Sequence, residues 1–464
     1  MASRSVRWLV MASVVAAGAM SLVAATTASS VAVSAPAPGS VAPHPFISDP
    51  INGKTLTFPP TTAYCLANLG LHCYQPAQFI KAYNLAPLHN AGITGAGKTI
   101  VIVDAFGSPT IANDLKVFDK TFGLPDPVLT IRQDGGIVPP FNPTNSDMLG
   151  WADETTLDVE WSHVFAPGAK ILLEETPVSE TEGVQGFPEM MKAENFVIDH
   201  HLGDVITQSF GATEETFPNK QSLLDLRSAF KNAAAHGVTV LASSGDNGAT
   251  DAQLNGSDLY TMPVNSWPSA DPLVTSVGGT MLNLDANGNR LAPDVVWNDL
   301  NTVGGGAGGG GVSSVFSRPS FQRDVRDVTG NRRGTPDISL SAAVDGAVVL
   351  YFTFQPGREG YHLVGGTSEA SPEFAGVVAM AAQLAHHDLG NINSHLYDLA
   401  EFGSFAGIVD VTQGNNTFGP FTNSDGTTHT VQGFSATPGY DLASGNGTVN
   451  AARFVPALAF SSDR

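Results

Sequence analysis

Three short stretches of this chain carry residue types that could do chemistry together. The first is Gly365-Gly-Thr-Ser-Glu-Ala-Ser-Pro372, in which Ser368 follows the apolar run Tyr361-His-Leu-Val364 and precedes the small, apolar run Phe374 to Met380. That pattern predicts a strand-to-helix junction with the serine at the helix start. First-turn amides of a helix lack internal partners, so a nucleophile there has donors at hand for an oxyanion. Plain N-capping by Thr367 or Ser368 is the competing reading. The second stretch is Trp151-Ala-Asp-Glu-Thr-Thr-Leu-Asp158. Glu154 and Asp158 are four apart and share a face if the segment is helical. Neighbouring carboxyls compete for charge, so one can stay protonated while the other ionises in acid. An ordinary acidic helix start has the same appearance. The third is Val238-Thr-Val-Leu-Ala-Ser-Ser-Gly-Asp246-Asn-Gly248, which places Asp246 beyond the carboxyl end of a strand. Ligands of open α/β sheets bind there, and a Gly-Asp-Asn-Gly turn needs no ligand at all.

A nucleophilic serine needs a base, most often histidine. His362 lies in the strand before Ser368, while His200-His201 and His386-His387 close helical segments. His163, in Trp161-Ser-His-Val-Phe165, is the best placed of them, with Asp104 as its acidic partner.

The elements that must position these groups alternate along the chain. Segments 76–85, 150–165, 190–201 and 223–236 read as helices, and 99–104 (TIVIVD), 170–173, 205–209 and 238–243 as strands. Such alternation predicts an α/β fold with a largely parallel central sheet flanked by helices.

The chain has 464 residues and a net charge of −21, from 22 Lys and Arg against 43 Asp and Glu. A phosphate backbone or an anionic membrane is therefore a poor partner. A basic head, an apolar run from Leu9 to about Ala25 and small residues beyond read as a secretory signal, residues 1–35. The expected product is extracellular, monomeric and free of the membrane once the signal is removed. Residues 36–60 are rich in Pro, Ser and Thr and read as an extended arm, and residues 61–464 as one catalytic domain. Cys65 and Cys73 are the two cysteines, and in an exported chain they are expected to form a disulfide.

Two glycine-rich stretches look like nucleotide sites. Gly92-Ile-Thr-Gly-Ala-Gly-Lys-Thr99 has the letters of a phosphate loop, but a helical segment precedes it and a strand follows, the reverse of what phosphate binding needs. The run from Val303 to Gly311 matches a dinucleotide fingerprint only because it is nearly all glycine, and no helix follows it. It reads as a linker.

Taken together, Glu154-x-x-x-Asp158, Ser-Gly-Asp246 and Gly-Thr-Ser368-x-x-x-Pro372 resemble, in order and rough separation, the sedolisin family of serine-carboxyl peptidases, whose fold is subtilisin-like. The resemblance extends to Gln208-Ser-Phe-Gly211, Ser276-Val-Gly-Gly-Thr280, Gly309-Gly-Gly-Val-Ser313 with Arg318-Pro319, and Pro438-Gly-Tyr-Asp441. It implies a secreted, acid-acting endopeptidase in which Ser368 is the nucleophile, Glu154 the general base and acid, and Asp158 its orienting partner. Asp246 is implied as the oxyanion donor, and Asp104 as an acid that extends the network. A carboxyl can donate into an oxyanion hole only while protonated, which agrees with action in acid.

The resemblance also implies an extended peptide substrate beside Ser209, Phe210 and Gly211. Ser266 falls at an S1-pocket position where some relatives place an acid, so a preference for basic side chains is not expected. One structural Ca²⁺ is implied, held by carboxylates of Asp410 and Asp441 and carbonyls of Val411, Thr437 and Gly439. The segment before Cys73 is shorter than the family's usual propeptide. The rival readings are a subtilisin-type Ser-His-Asp peptidase using His163 and Asp104, although no His-Gly-Thr run surrounds His163, and a secreted binding protein without turnover.

Overall fold

The computed structural model describes residues 46–48, 55–303 and 305–461. The expected signal, 1–35, and most of the 36–60 arm lie outside the described residues. Contacts group residues 38–464 into one unit, to which the description below refers.

Eight strands make the central sheet. They are β1 (Thr99–Ala105), β2 (Leu129–Arg132), β3 (Lys170–Thr176), β4 (Val205–Gln208), β5 (Thr239–Ser243), β6 (Thr275–Met281), β7 (Val295–Val296) and β8 (Ile338–Ser341). Their order is β7-β6-β5-β4-β1-β3-β2, and β8 also pairs with β6. Every pairing is parallel except the short β6–β7 ladder. Strand β1 reads as an unbroken apolar run because Ile100 to Ala105 is buried throughout, the mark of a strand covered on both faces.

Two helices carry candidate site residues identified from the sequence. Helix α1 (Ser146–Phe165) starts at Asn145, whose side chain accepts from the Asp147 and Met148 amides. It is buried continuously from Trp151 to Phe165, so it has no amphipathic stripe; it is a central helix rather than a surface one. Helix α2 (Thr367–Ala385) is buried from Thr367 to Ala382 and packs on α1 and over β4, β5, β6 and β8. The two helices can approach closely because residue 376 is glycine. A Cβ there would fall 2.5 Å from the Phe165 Cβ, well inside contact distance.

A smaller sheet delivers the chain to α2. Ala347–Phe352 pairs antiparallel with Gly360–Gly365 and parallel with Cys73–Tyr74, while Phe46–Ser48 adds along the other side of Gly360–Gly365. The Cys65–Cys73 disulfide is formed, with a Cα separation of 5.9 Å.

Two sequence expectations need correction. The helix expected over 223–236 is two helices, Lys220–Leu224 and Ser228–His236. The path turns between them, where the Arg227 guanidinium pairs with Asp271 at 2.5 and 2.8 Å. The 303–311 glycine run is no linker. Gly309 N–H donates to Gly245 O at 2.7 Å, Ala307 N–H to Asp246 O at 3.0 Å, and Ser244 Oγ to Gly309 O at 2.8 Å. A Cβ at Gly309 would sit 2.1 Å from Ser244 O, so only glycine lets this strand brace the Asp246 loop.

The phosphate-loop look-alike sits as the sequence order requires, between the helix Ala86–Asn90 and β1. Its amides from Thr94, Gly95 and Ala96 all donate to Gln383 Oε1, at 2.8, 2.8 and 3.1 Å. An amide side chain from α2 thus occupies the cradle.

Candidate active site

Asp104 near the end of β1, Ser209 just past β4 and Asp246 just past β5 stand at the carboxyl ends of neighbouring parallel strands. Helix α1 lays Glu154 and Asp158 across these ends, one turn apart, and α2 brings Ser368. Glu154, Asp158 and Asp104 are fully buried, and Ser368 and Asp246 nearly so.

The carboxyls act on one another. Burial, reinforced by the charges of Asp158 and Asp104, holds Glu154 well above the ordinary carboxyl range, while the Ser368 hydroxyl pulls it down. Asp158 is likewise raised by burial and by Asp104, and is drawn down by hydrogen bonds from Ser209 and Glu154. Burial carries Asp104 to about 7, opposed by Thr155 and reinforced by Glu175, its neighbour in the β1–β3 register. No oxygen of Glu154 or Asp104 makes a hydrogen bond of ordinary length and angle, yet Ser368 is close enough to bias Glu154. Catalytic hydrogen bonds are often this loose until substrate arrives. Like charges packed so closely in low dielectric resist full ionisation and share protons as a group.

Asp246 is held differently. Its Oδ1 accepts from the Thr367 amide at 2.7 Å and the Thr367 hydroxyl at 2.9 Å. These bonds oppose burial, which still carries the group to about 7. A carboxyl whose one oxygen accepts twice presents its proton on the other, beside Thr367, which is next in sequence to Ser368. Thr367 therefore does not cap α2 with its side chain; the N-cap is Gly366, and no side-chain cap bond forms.

The arrangement separates the two bases considered from sequence. His163 lies five residues past Asp158 on α1, and at 100° per residue it is turned about 180° from Glu154. Its Nε2 meets Pro125 O at 2.7 Å and Asp119 at 3.4 Å, and burial depresses it to about 4. Asp104 stands with Thr155, Glu175 and the carboxyl pair instead. The Ser-His-Asp reading through His163 and Asp104 is thereby corrected.

Of the residues expected to meet substrate, Ser209 is engaged inside the site. Its hydroxyl donates to Asp158 Oδ1 at 3.0 Å, a contact between residues 51 apart that no local pattern records. Phe210 is in the core against Phe187, ring centroids 6.1 Å apart, so this side chain does not line a cleft. Residues 209–211 carry no strand pairing among the described residues. Ser266 pairs with Thr213 across a short ribbon and donates to Asp251 Oδ2 at 2.5 Å. The serine at this position thus has a carboxylate behind it, supplied from another loop.

The residues expected to hold calcium come together at one turn. Thr437 N–H donates to Asp441 Oδ2 at 2.8 Å and Gly439 N–H to Asp410 Oδ2 at 2.9 Å, while Ser444 Oγ reaches Val411 O at 3.5 Å. A cavity of about 490 Å³ opens beside it, lined in part by Asp398, Glu401, Asp410 and Gly439. The donors are all oxygen, two carboxylates with backbone carbonyls, which fits a hard cation by type. No group of three or more His, Cys, Asp or Glu suited to a metal occurs among the described residues.

Comparison with known proteins gives the following. Residues 145–395 match the profile of the subtilase family. Kumamolisin of Bacillus sp. (strain MN-32) is 29% identical over 400 residues, covering 83% of this chain and 63% of that protein. Sedolisin of Pseudomonas sp. (strain 101) is 29% identical over 386 residues, covering 82% and 60%. The chain thus spans about three fifths of the length of these relatives. A solved structure of Pseudomonas sedolisin, described as a serine-carboxyl proteinase complexed with two molecules of pseudo-iodotyrostatin, matches with a TM-score of 0.68. There the identity is 28%, over 83% of this chain and 97% of that one.

Proposed function

The chain belongs to the subtilase family, in its sedolisin branch, and from that premise we propose that residues 61–464 are a secreted, acid-acting serine-carboxyl endopeptidase. The observation that carries the reading is the meeting of Ser368, the Glu154–Asp158 pair and a buried Asp246 at the strand ends, with His163 turned away. The signal-like segment 1–35 supports export, and among the described residues no helix is long and apolar enough to cross a membrane.

In the proposed reaction Ser368 Oγ attacks the scissile carbonyl carbon and gives its proton to Glu154, which passes its own proton to Asp158 in the same step. Asp158, which accepts from Ser209 and is drawn down by both Ser209 and Glu154, takes up that proton and so sets how readily Glu154 accepts. The carbonyl oxygen takes up negative charge, which protonated Asp246 and the Ser368 amide in the first turn of α2 stabilise. Glu154 then returns the proton to the leaving amine, leaving an acyl-Ser368 ester. Water attacks the ester by the same route, its proton passing to Glu154, which then protonates Ser368 Oγ as the product acid leaves. Substrate is an extended polypeptide lying by the unpaired 209–211 segment, where backbone pairing gives affinity without a fixed sequence.

Asp410 and Asp441, with the carbonyls of Val411, Thr437 and Gly439, would hold one Ca²⁺. The ion would fasten the C-terminal turn and take no part in the reaction.

The test is hydrolysis of an acid-denatured protein substrate across pH 3–9, with mass spectrometry of the enzyme after treatment by a peptide aldehyde. A product ladder in acid and an adduct at Ser368 are expected. Neither cleavage nor adduct at any pH would favour a binding protein on this fold.

A further inference from the structure

Helix α2 carries a second pair of acids that the mechanism does not use. Glu369 and Glu373 are one turn apart, fully buried, and none of their four oxygens makes a hydrogen bond of ordinary geometry. Glu369 faces the Ser341 hydroxyl on β8 and, across the site, Asp246. Glu373 faces Glu369 and Tyr83, whose hydroxyl accepts from Ser341 N–H at 2.7 Å. Arg290 packs on the Tyr83 ring at 5.4 Å, but its guanidinium is already paired with Asp294 at 2.7 and 2.9 Å. The titratable groups named against the pair are thus acids and a phenol, and the cation beyond the phenol is already paired. As neutral acids both glutamates fit an apolar helix interface, and Glu369 lies where it can share a hydrogen bond with the Ser341 hydroxyl. As anions they would repel each other across one helical turn without solvent or a free cation. Burial favours the protonated form of both, reinforced by Asp246 at Glu369 and by Glu369 at Glu373, while the Ser341 hydroxyl draws Glu369 the other way.

We propose that Glu369 and Glu373 are a positioning pair that fastens the first turns of α2, and with them Ser368, only while protonated, so that rising pH releases the helix start and disarms the site. The proposal rests on Ser368 being the nucleophile for its functional consequence, though not for the structural change itself.

Hydrogen exchange of the full chain, read by mass spectrometry on peptides covering residues 366–380 at steps from pH 4 to 9 and corrected for intrinsic rates, tests it. In the wild type, protection there should fall at a lower pH than in β1 and β3. Glu373→Gln and Glu369→Gln should each raise that midpoint by about one pH unit. Glu194→Gln is the control, because Glu194 is equally buried and unpartnered but stands on the helix Phe187–Asp199. It should leave the 366–380 midpoint where it is. A midpoint unmoved in Glu373→Gln, or moved equally by Glu194→Gln, overturns the proposal. If Glu369→Gln does not fold, the wild type and Glu373→Gln decide. Release seen by exchange in a protein that cleaves nothing at any pH would uphold the switch and refute the peptidase reading.

Discussion

Asp246→Asn isolates the oxyanion donor. In the folded chain burial carries Asp246 to about 7, whereas an exposed aspartate titrates near 3.9, roughly three units lower. At pH 5 about 99% of the protein therefore keeps the proton, and at pH 8 about one molecule in ten does. The alkaline limb of kcat/KM should bend at about 7 in the wild type, well above the ~3.9 expected from an ordinary aspartate. Asparagine can still accept from both Thr367 donors through its carbonyl while its amide stays a neutral donor at every pH. The variant should lose activity by roughly 10-fold to 100-fold at pH 4, less than the 10²–10³ expected for removing the donor in Asp246→Ala, and should lose the limb at about 7.

The same proton is linked to stability. Because the folded pKa is raised, its contribution is complete below about 4 and disappears as pH rises through about 7, and at 1.36 kcal/mol per unit it amounts to at most ~4 kcal/mol. Thermal unfolding of wild type and Asp246→Asn at pH 4 and 8 should therefore show a smaller pH dependence in the variant. The assay is an internally quenched peptide followed from pH 3 to 9. An alkaline limb with the same midpoint in both proteins would refute the reasoning.

Ser209→Ala removes the donor that lowers Asp158, so kcat should fall roughly 10-fold to 100-fold, for a lost bond to a charged group worth ~1.5–3 kcal/mol, and the acid limb should move to higher pH. Gly376→Ala places a Cβ 2.5 Å from the Phe165 Cβ; the strain should cost ~1–3 kcal/mol, read as a lower Tm, and by parting α1 from α2 should lower kcat more than it raises KM. At pH 5 calcium should raise Tm relative to chelator in the wild type but not in Asp441→Ala, since an ion that binds only the native state stabilises it by mass action; equal midpoints in all four samples would remove the site.

The parts of this site legible in the sequence are those whose chemistry is local. Glu154 and Asp158 announce a shared helix face by their spacing, TIVIVD announces a doubly covered strand, and Asp246 announces a strand end. What could not be read depends on partners far away along the chain. Thr367 looks like an N-cap from its neighbours, yet its bonds go to Asp246, 121 residues earlier. Ser209 looks like a substrate contact and is committed to Asp158. The glycine run looks like a flexible linker because nothing in it records that Ser244 and Gly245 press against it. In the same way, the break at Asp225–Arg227 follows from Asp271, which no helical periodicity can register. Local pattern places residue types on elements, and tertiary hydrogen bonds then decide which atom each one serves.

The central claim is that a carboxyl, Glu154, takes the proton of Ser368. One assay at pH 4 comparing kcat/KM for wild type, Ser368→Ala, Glu154→Ala, the double variant and His163→Ala tests it most directly. Residues acting as a unit fail together, so the two single variants and the double should fall to about the same residual rate, while His163→Ala, folded by circular dichroism, should keep turnover. Full activity in Glu154→Ala beside a folded but inactive His163→Ala would contradict the account.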